Sequence, residues 1–401
     1  MLMAGFPDPS QNTSAAMRAN LIQWRPHCDR TSARFVSRAA ADYHTPSESN
    51  LPTRRCPLKS KPLTRCCVSY YLATAAVLLT AASAAGEDLI VQGSGIFAPD
   101  AKLETLWEEG GFTEGAAAGP DGCMYFSDFA QPFESGPARV MKFNPKDRKI
   151  SVYCPDSGMG NGLMFTRKGA LVGCCASPLK GHRALVEFKP NGKVKVLVNK
   201  FNGKRFNSPN DLVIDRHGRI YFTDPKYVGP EAMELKSFDV YRLDPDGRLS
   251  LATSAIDKPN GIILSPDQRT IYIAETDNGS AKADLETDFQ PGRMTLNALP
   301  VNPDGTLGKK QVLVNFGKQT GVDGMTMDTQ GRIYAAVRSQ QRHGIVVFTP
   351  AGKEVGYVAT QTLPTNCSFG RGKEIHTLYI TAGKGFYRIP TQAAGYHPAI
   401  D

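Results

Sequence analysis

No stretch of this 401-residue chain repeats its apolar residues every 3.6 positions. That leaves no long amphipathic helix and argues against a helical or α/β fold. No CxxC pair and no Cys/His spacing suited to zinc occurs, which excludes a metal centre of that kind. A Gly-x-Ser-x-Gly turn is also missing, so the sequence gives no support to serine-hydrolase chemistry. Excess charge of one sign is confined to one end. Residues 1–86 hold 10 basic and 4 acidic residues, and the remainder holds 37 and 34. The formal charge of +9 is therefore largely a property of the N-terminal segment. With no basic stripe interleaved with aromatics, it does not imply nucleic-acid binding.

The N-terminal segment reads as a leader. Residues 1–67 are basic, rich in Ser, Thr and Pro, and without periodicity, as expected of a disordered segment or of a start codon placed too far upstream. Residues 68–86 follow as an apolar run from Val68 to Ala82 and then Ser83-Ala-Ala-Gly-Glu87. A positive flank, a 15-residue apolar run and a small-residue cleavage site describe a secretory signal peptide. The run is short for a membrane span of about 20 residues. The expectation is an exported protein, periplasmic or secreted, with a mature chain of residues 87–401 and no membrane attachment. Five of the nine cysteines lie in that mature chain: Cys123, Cys154, Cys174, Cys175 and Cys367. They read as small core residues. Adjacent Cys174 and Cys175 on one strand should face opposite ways and not pair.

What the mature chain does contain is a repeat. Apolar strands recur as Met124-Tyr-Phe-Ser-Asp, Leu171-Val-Gly-Cys-Cys, Ile220-Tyr-Phe-Thr-Asp, Ile271-Tyr-Ile-Ala-Glu, Ile333-Tyr-Ala-Ala-Val and Leu378-Tyr-Ile-Thr-Ala. Each follows a landmark at Gly122, Gly169, Gly218, Gln268, Gly331 or Glu374, spaced 43 to 63 residues apart. Period-2 strands joined by Asp-Gly, His-Gly and Asn-Gly turns mark antiparallel hairpins. About four short strands per unit of this length are the signature of a propeller blade. The chain is therefore expected to be all-β, a six-bladed β-propeller. The longest interval holds an insertion around residues 277–302, with no clear strand before Met294–Leu299.

Eight residues before each landmark stands a polar side chain: Glu114, Asn161, Asn210, Asn260, Asp323 and Asn366. In a radial arrangement all six are expected to point to one place. Carboxylate and amide oxygens without His or Cys favour a hard divalent cation. Ca2+ is expected first, with Mg2+, Mn2+ or Zn2+ as alternatives in vitro. Without a cation, burying Glu114 beside Asp323 is costly or leaves one of them protonated.

Several segments resemble the senescence-marker-protein (SMP-30)/gluconolactonase family, in its gluconolactonase branch. They are Phe112-Thr-Glu-Gly, Asn161-Gly-Leu-Met-Phe, Phe206-Asn-Ser-Pro-Asn-Asp-Leu-Val, Pro259-Asn-Gly-Ile, Gly321-Val-Asp-Gly and Thr365-Asn-Cys-Ser-Phe-Gly. The resemblance spans about residues 87–395. It implies a six-bladed propeller holding one divalent cation at the top of the central channel and hydrolysing a small-molecule sugar lactone. Glu114, Asn260 and Asp323 match its metal ligands. Asn210 matches a residue near both metal and substrate, and Asp323 matches the general base. Asn161 is a candidate substrate-lining residue. Two departures alter the substrate-facing set: Cys174-Cys175-Ala176 stands where relatives carry Glu-His, and Ser208 stands where mammalian-type members carry Arg.

Two rival readings share the ligands. One is a metal-dependent esterase or phosphotriesterase. The other is a non-catalytic propeller stabilised by Ca2+. His182-Arg183 and Lys226-Tyr227 are further segments within possible reach of the pocket.

Overall fold

A computed structural model describes residues 89–131, 135–178, 181–280 and 291–401. The leader, the apolar run and its cleavage site lie outside the described residues. Strands group into six antiparallel sheets of at least four strands. The innermost strands of blades 1 to 6 are Phe112–Ala118, Gly160–Phe165, Leu212–Ile214, Pro259–Leu264, Val322–Met327 and Pro364–Phe369. The second strands are Met124–Phe129, Leu171–Cys175, Ile220–Asp224, Thr270–Thr276, Ile333–Val337 and Thr377–Ala382. These are the six repeats read from the sequence. The innermost strands touch in order around a closed circuit, blade 6 returning to blade 1, so the protein is a six-bladed β-propeller.

Closure of the circuit uses a strand that the repeat does not announce. Blade 6 takes its outermost strand, Glu104–Trp107, from the residues that precede blade 1. Blade 5 gains a fifth strand, Val91–Gln92, from the same end of the chain. The sixth landmark also differs from the others. Glu374 lies in a 3-10 turn, Gly372–Glu374, and not in a glycine hairpin.

Apolar side chains fill the spaces between blades. Leu163, Leu171 and Val186 of blade 2 pack with Tyr125 and Val140 of blade 1. Phe126 of blade 1 stacks on Phe386 of blade 6 with ring centroids 4.3 Å apart. Each blade is buried on both faces, which explains why its second strand carries an unbroken apolar run, such as Met124-Tyr-Phe or Ile271-Tyr-Ile, and does not alternate. Cys174 joins the cluster toward blade 3 and Cys175 the cluster toward blade 1, so the two thiols do face opposite ways. All five described cysteines are free and buried.

The C-terminal residues seal one end of the channel. The backbone N–H of Tyr396 donates to the Met327 carbonyl (2.9 Å). Gln268 Nε2 donates to the Pro398 carbonyl (2.7 Å). His397 Nε2 lies 3.0 Å from the Gly370 carbonyl. With this end closed, the polar residues at the other end of the innermost strands carry the remaining opening.

Candidate active site

Glu114, Asn161, Asn260 and Asp323 sit where their innermost strands break register, and Asn210 lies just ahead of Leu212–Ile214. The ladder shifts between Glu114 and Ala116, Gly160 and Leu163, Pro259 and Ile262, and Val322 and Met325. A bulge leaves one residue unpaired and re-aims its side chain, here toward the channel. The glycine that follows allows the neighbouring blade to approach. A Cβ on Gly115 would lie 2.1 Å from the Asn161 carbonyl oxygen, and one on Gly261 would lie 2.3 Å from that of Asp323. Inter-blade bonds fix the spacing. Ser127 Oγ donates to the Asn161 carbonyl (2.7 Å), and Gly162 N–H donates to the Asn210 carbonyl (2.8 Å). Below Asn210, the Asp224 carboxylate accepts the N–H groups of Asn207 (2.8 Å) and Ser208 (2.7 Å), which holds the Asn207–Asn210 segment in place.

Glu114, Asn161, Asn210, Asn260 and Asp323 line one cavity of about 310 Å³. Four of the five are buried, and Asn210 is half-buried. The sixth ring member, Asn366, does not join them. Its Oδ1 accepts the Cys367 N–H (2.8 Å), and its amide packs against Gly324, where a Cβ would lie 2.2 Å away. It lines a smaller space lower in the channel together with Asp211. The expectation that six residues converge is thereby corrected to five, because blade 6 turns its amide back onto its own strand.

The electrostatics of the five are unbalanced. Burial raises the Glu114 carboxyl well above its ordinary range, and the neighbouring Asp323 raises it further. Burial also raises Asp323, against the pull of Arg338 and a hydrogen bond from Asn260. Arg338 Nη1 donates to Asp323 Oδ2 (2.7 Å), and its guanidinium lies 5.8 Å from the centre of the Phe112 ring. Among the described residues lining the cavity, two carboxylates therefore face a single cation. Among the described residues, no three His, Cys, Asp or Glu gather as a metal cluster. The donors present are two carboxylates and three amides, a set that could hold a hard divalent cation and offset the excess negative charge.

Arg338 escaped the sequence reading because it stands just past the second strand of blade 5, in no motif and at no repeat offset. Tyr227 does reach the cavity. Lys226 turns away, to Ser177 Oγ (3.3 Å) and Glu231 (3.2 Å). Arg183 also turns away, donating to the Phe206 carbonyl (2.7 Å), and His182 is not part of the cavity wall.

A family model described as "SMP-30/Gluconolactonase/LRE-like region" matches residues 174–384. The chain belongs to this family. A gluconolactonase of Zymomonas mobilis is 31% identical over 289 residues, which cover 66% of this chain and 75% of that protein. Lactonohydrolase oryL of Aspergillus oryzae is 30% identical over 294 residues, 66% of this chain and 64% of its own. The structure of XC5397 from Xanthomonas campestris, a gluconolactonase, superposes with a TM-score of 0.64 at 27% identity, covering 76% of this chain and 95% of that one. Within this SMP-30/gluconolactonase propeller, the five convergent residues come from blades 1 to 5, one from each.

Proposed function

We propose that this protein is a lactone hydrolase dependent on a divalent cation. The observation that carries the reading is the convergence of Glu114 and Asp323, both buried, with Asn161, Asn210 and Asn260 in a single cavity at the open end of the channel. Membership of the family and the gluconolactonase and lactonohydrolase relatives support the reaction class.

Glu114, Asn260, Asp323 and Asn210 would hold the cation, Ca2+ first. When bound it neutralises the two carboxylates and polarises the substrate carbonyl. Asp323 is the general base. It takes a proton from water as the water oxygen bonds to the acyl carbon. The bond from acyl carbon to ring oxygen then breaks, and the ring oxygen takes up a proton to give the hydroxy acid. Arg338 holds the Asp323 carboxylate in one orientation through Oδ2. Asn161 and Asn210 offer amide groups to the lactone oxygens. Sugar lactones are the first class to test. Export of the propeller after cleavage near residues 82–87 belongs to the same proposal, and N-terminal sequencing of the protein recovered outside the cytoplasm checks it.

The deciding experiment strips metal from residues 87–401 and measures hydrolysis of glucono-1,5-lactone and other lactones before and after adding back Ca2+, Mg2+, Mn2+ or Zn2+. Turnover should return with Ca2+, and in Asp323→Asn it should fall by about 100-fold or more. Failure of every cation to restore lactone turnover, with aryl esters or phosphotriesters hydrolysed instead, would transfer the site to the esterase reading. No turnover of any of them, with Ca2+ still raising Tm, would leave a binding propeller.

A further inference from the structure

We propose that the preferred substrate is a lactone whose ring carries an apolar alkyl or aryl substituent and not a fully hydroxylated sugar lactone. The inference rests on the lactone-hydrolase reading above and sharpens it. The floor of the cavity is the polar ring, but one continuous side of its wall is apolar. Blade 1 contributes Phe112 and Phe129, blade 2 contributes Ala176 and Pro178, and the segment after blade 3's second strand contributes Val228. The Phe112 and Phe129 rings stand 6.4 Å apart, tilted by 58°. Val228 is 44% exposed, which places an apolar side chain at the rim.

Several polar groups elsewhere on the wall are engaged by the protein itself, while Thr320 and the Arg338 guanidinium add polar surface near Asp323. Ser208 Oγ accepts the Ser177 N–H (2.9 Å). Tyr227 donates its hydroxyl to the Lys258 carbonyl (3.3 Å), and Thr276 donates to the Val322 carbonyl (2.6 Å). Asn278 Oδ1 accepts from Lys258 Nζ (3.1 Å) and from the Ser280 N–H (3.2 Å). A polyol hydroxyl moved from water to this wall exchanges good partners for few, which costs free energy. Sites that select hydroxyls keep groups ready to bond them, and such groups strongly reject a ligand lacking the hydroxyl. Here an apolar substituent gains instead. Each methylene buried against Phe112, Phe129 or Val228 favours binding by about fourfold.

The test compares kcat/KM of the Ca2+-loaded protein for glucono-1,5-lactone, unsubstituted δ-valerolactone and δ-lactones bearing propyl, pentyl or phenyl groups. Calorimetry with the matching δ-lactams, which resist hydrolysis, reads binding separately. The expected result is a rise along the alkyl series, with the pentyl lactone at least tenfold above glucono-1,5-lactone and the lactams in the same order. Val228→Asn, at an exposed position where folding is not at stake, should lower the pentyl-to-glucono ratio about threefold or more. Faster hydrolysis of glucono-1,5-lactone than of the pentyl lactone, with the ratio unmoved by Val228→Asn, overturns this inference and leaves the lactone-hydrolase reading intact. If no lactone of either kind is hydrolysed, and Asp323→Asn behaves as the unsubstituted protein, that reading fails and this inference falls with it.

Discussion

Glu114 and Asp323 are two acids buried together, and their protonation sets what the site can hold. Both carboxyl groups are raised, by burial first in each case. A raised native-state value means that the folded form keeps protons which the unfolded chain has already lost. That stability is fully present below the ordinary carboxylate range near pH 4 and is lost as pH climbs through the raised values. Asp224, pushed up to about 7 by burial despite two backbone N–H donors, adds to the same slope. The metal-free protein should therefore melt at a lower temperature at pH 8 than at pH 5. A cation binds the deprotonated pair, so Ca2+ should raise Tm more at pH 8 than at pH 5. Glu114→Gln removes one of the two like charges. The metal-free variant should be more stable at pH 8 by on the order of 1 kcal/mol, and should lose both turnover and the Ca2+ response. Thermal melts with chelator and with Ca2+ at the two pH values check both statements. A Glu114→Gln protein that still responds to Ca2+ would remove Glu114 from the cation site.

The ring is a property of the bulged innermost strands, and they decide which parts of it could be read in advance. Counting eight residues back from the hairpin landmark, a glycine in blades 1, 2, 3 and 5 and Gln268 in blade 4, finds Glu114, Asn161, Asn210, Asn260 and Asp323 because each hairpin has the same length. The count also finds Asn366, where blade 6 keeps the offset but folds its amide onto Gly324 and Cys367. Offset fixes the level of a residue along the strand and leaves its rotamer open. Arg338 was illegible for a different reason. Its contact with Asp323 joins residues 15 positions apart and depends on the strand end where it emerges, which no period encodes. The Asn-Gly, Glu-Gly and Asp-Gly pairs have a tertiary meaning that their turn-forming habit hides. Gly261→Ala would place a Cβ 2.3 Å from the Asp323 carbonyl oxygen and 3.0 Å from Gly324 Cα. Blades 4 and 5 must then separate, at a cost of about 1–3 kcal/mol. Tm should fall accordingly, and Ca2+ affinity should fall with it, since Asn260 and Asp323 lie on the two sides of the displaced contact. An unchanged Ca2+ affinity in a destabilised Gly261→Ala protein would show that the ring geometry does not depend on that approach.

At the scale of the whole molecule, six repeats had to close, and the repeat pattern was silent on how. The closing strand, Glu104–Trp107, belongs to no repeat. It sits ahead of blade 1 and completes blade 6 across 284 positions of sequence, with Glu104 bound to Arg388 (2.6 Å). The same Glu104 reaches Arg148 of blade 1 (2.5 Å), and the Trp107 ring meets Phe126 at 5.6 Å. One short strand thus joins the last blade to the first. Without it, blade 6 would end in the exposed edge of Gly385–Pro390 and the circuit would have to be held by inner-strand contacts alone. A chain beginning at residue 88 should melt as a single cooperative unit. A chain beginning at Gly110, which also loses Val91–Gln92 and the buried Ile96 and Phe97, should lose at least 3 kcal/mol, which lowers Tm by roughly 6–12 °C in a domain of this order of size. It should also associate through the new edge. Trp107→Ala in the longer chain keeps the strand and its backbone ladder while removing the ring contact, so its loss should be smaller, about 2 kcal/mol for a half-buried aromatic. Differential scanning calorimetry with light scattering on the three proteins separates the contributions. Equal melting temperatures for the chains beginning at residues 88 and 110 would show that the propeller is held closed by its inner ring and not by Glu104–Trp107.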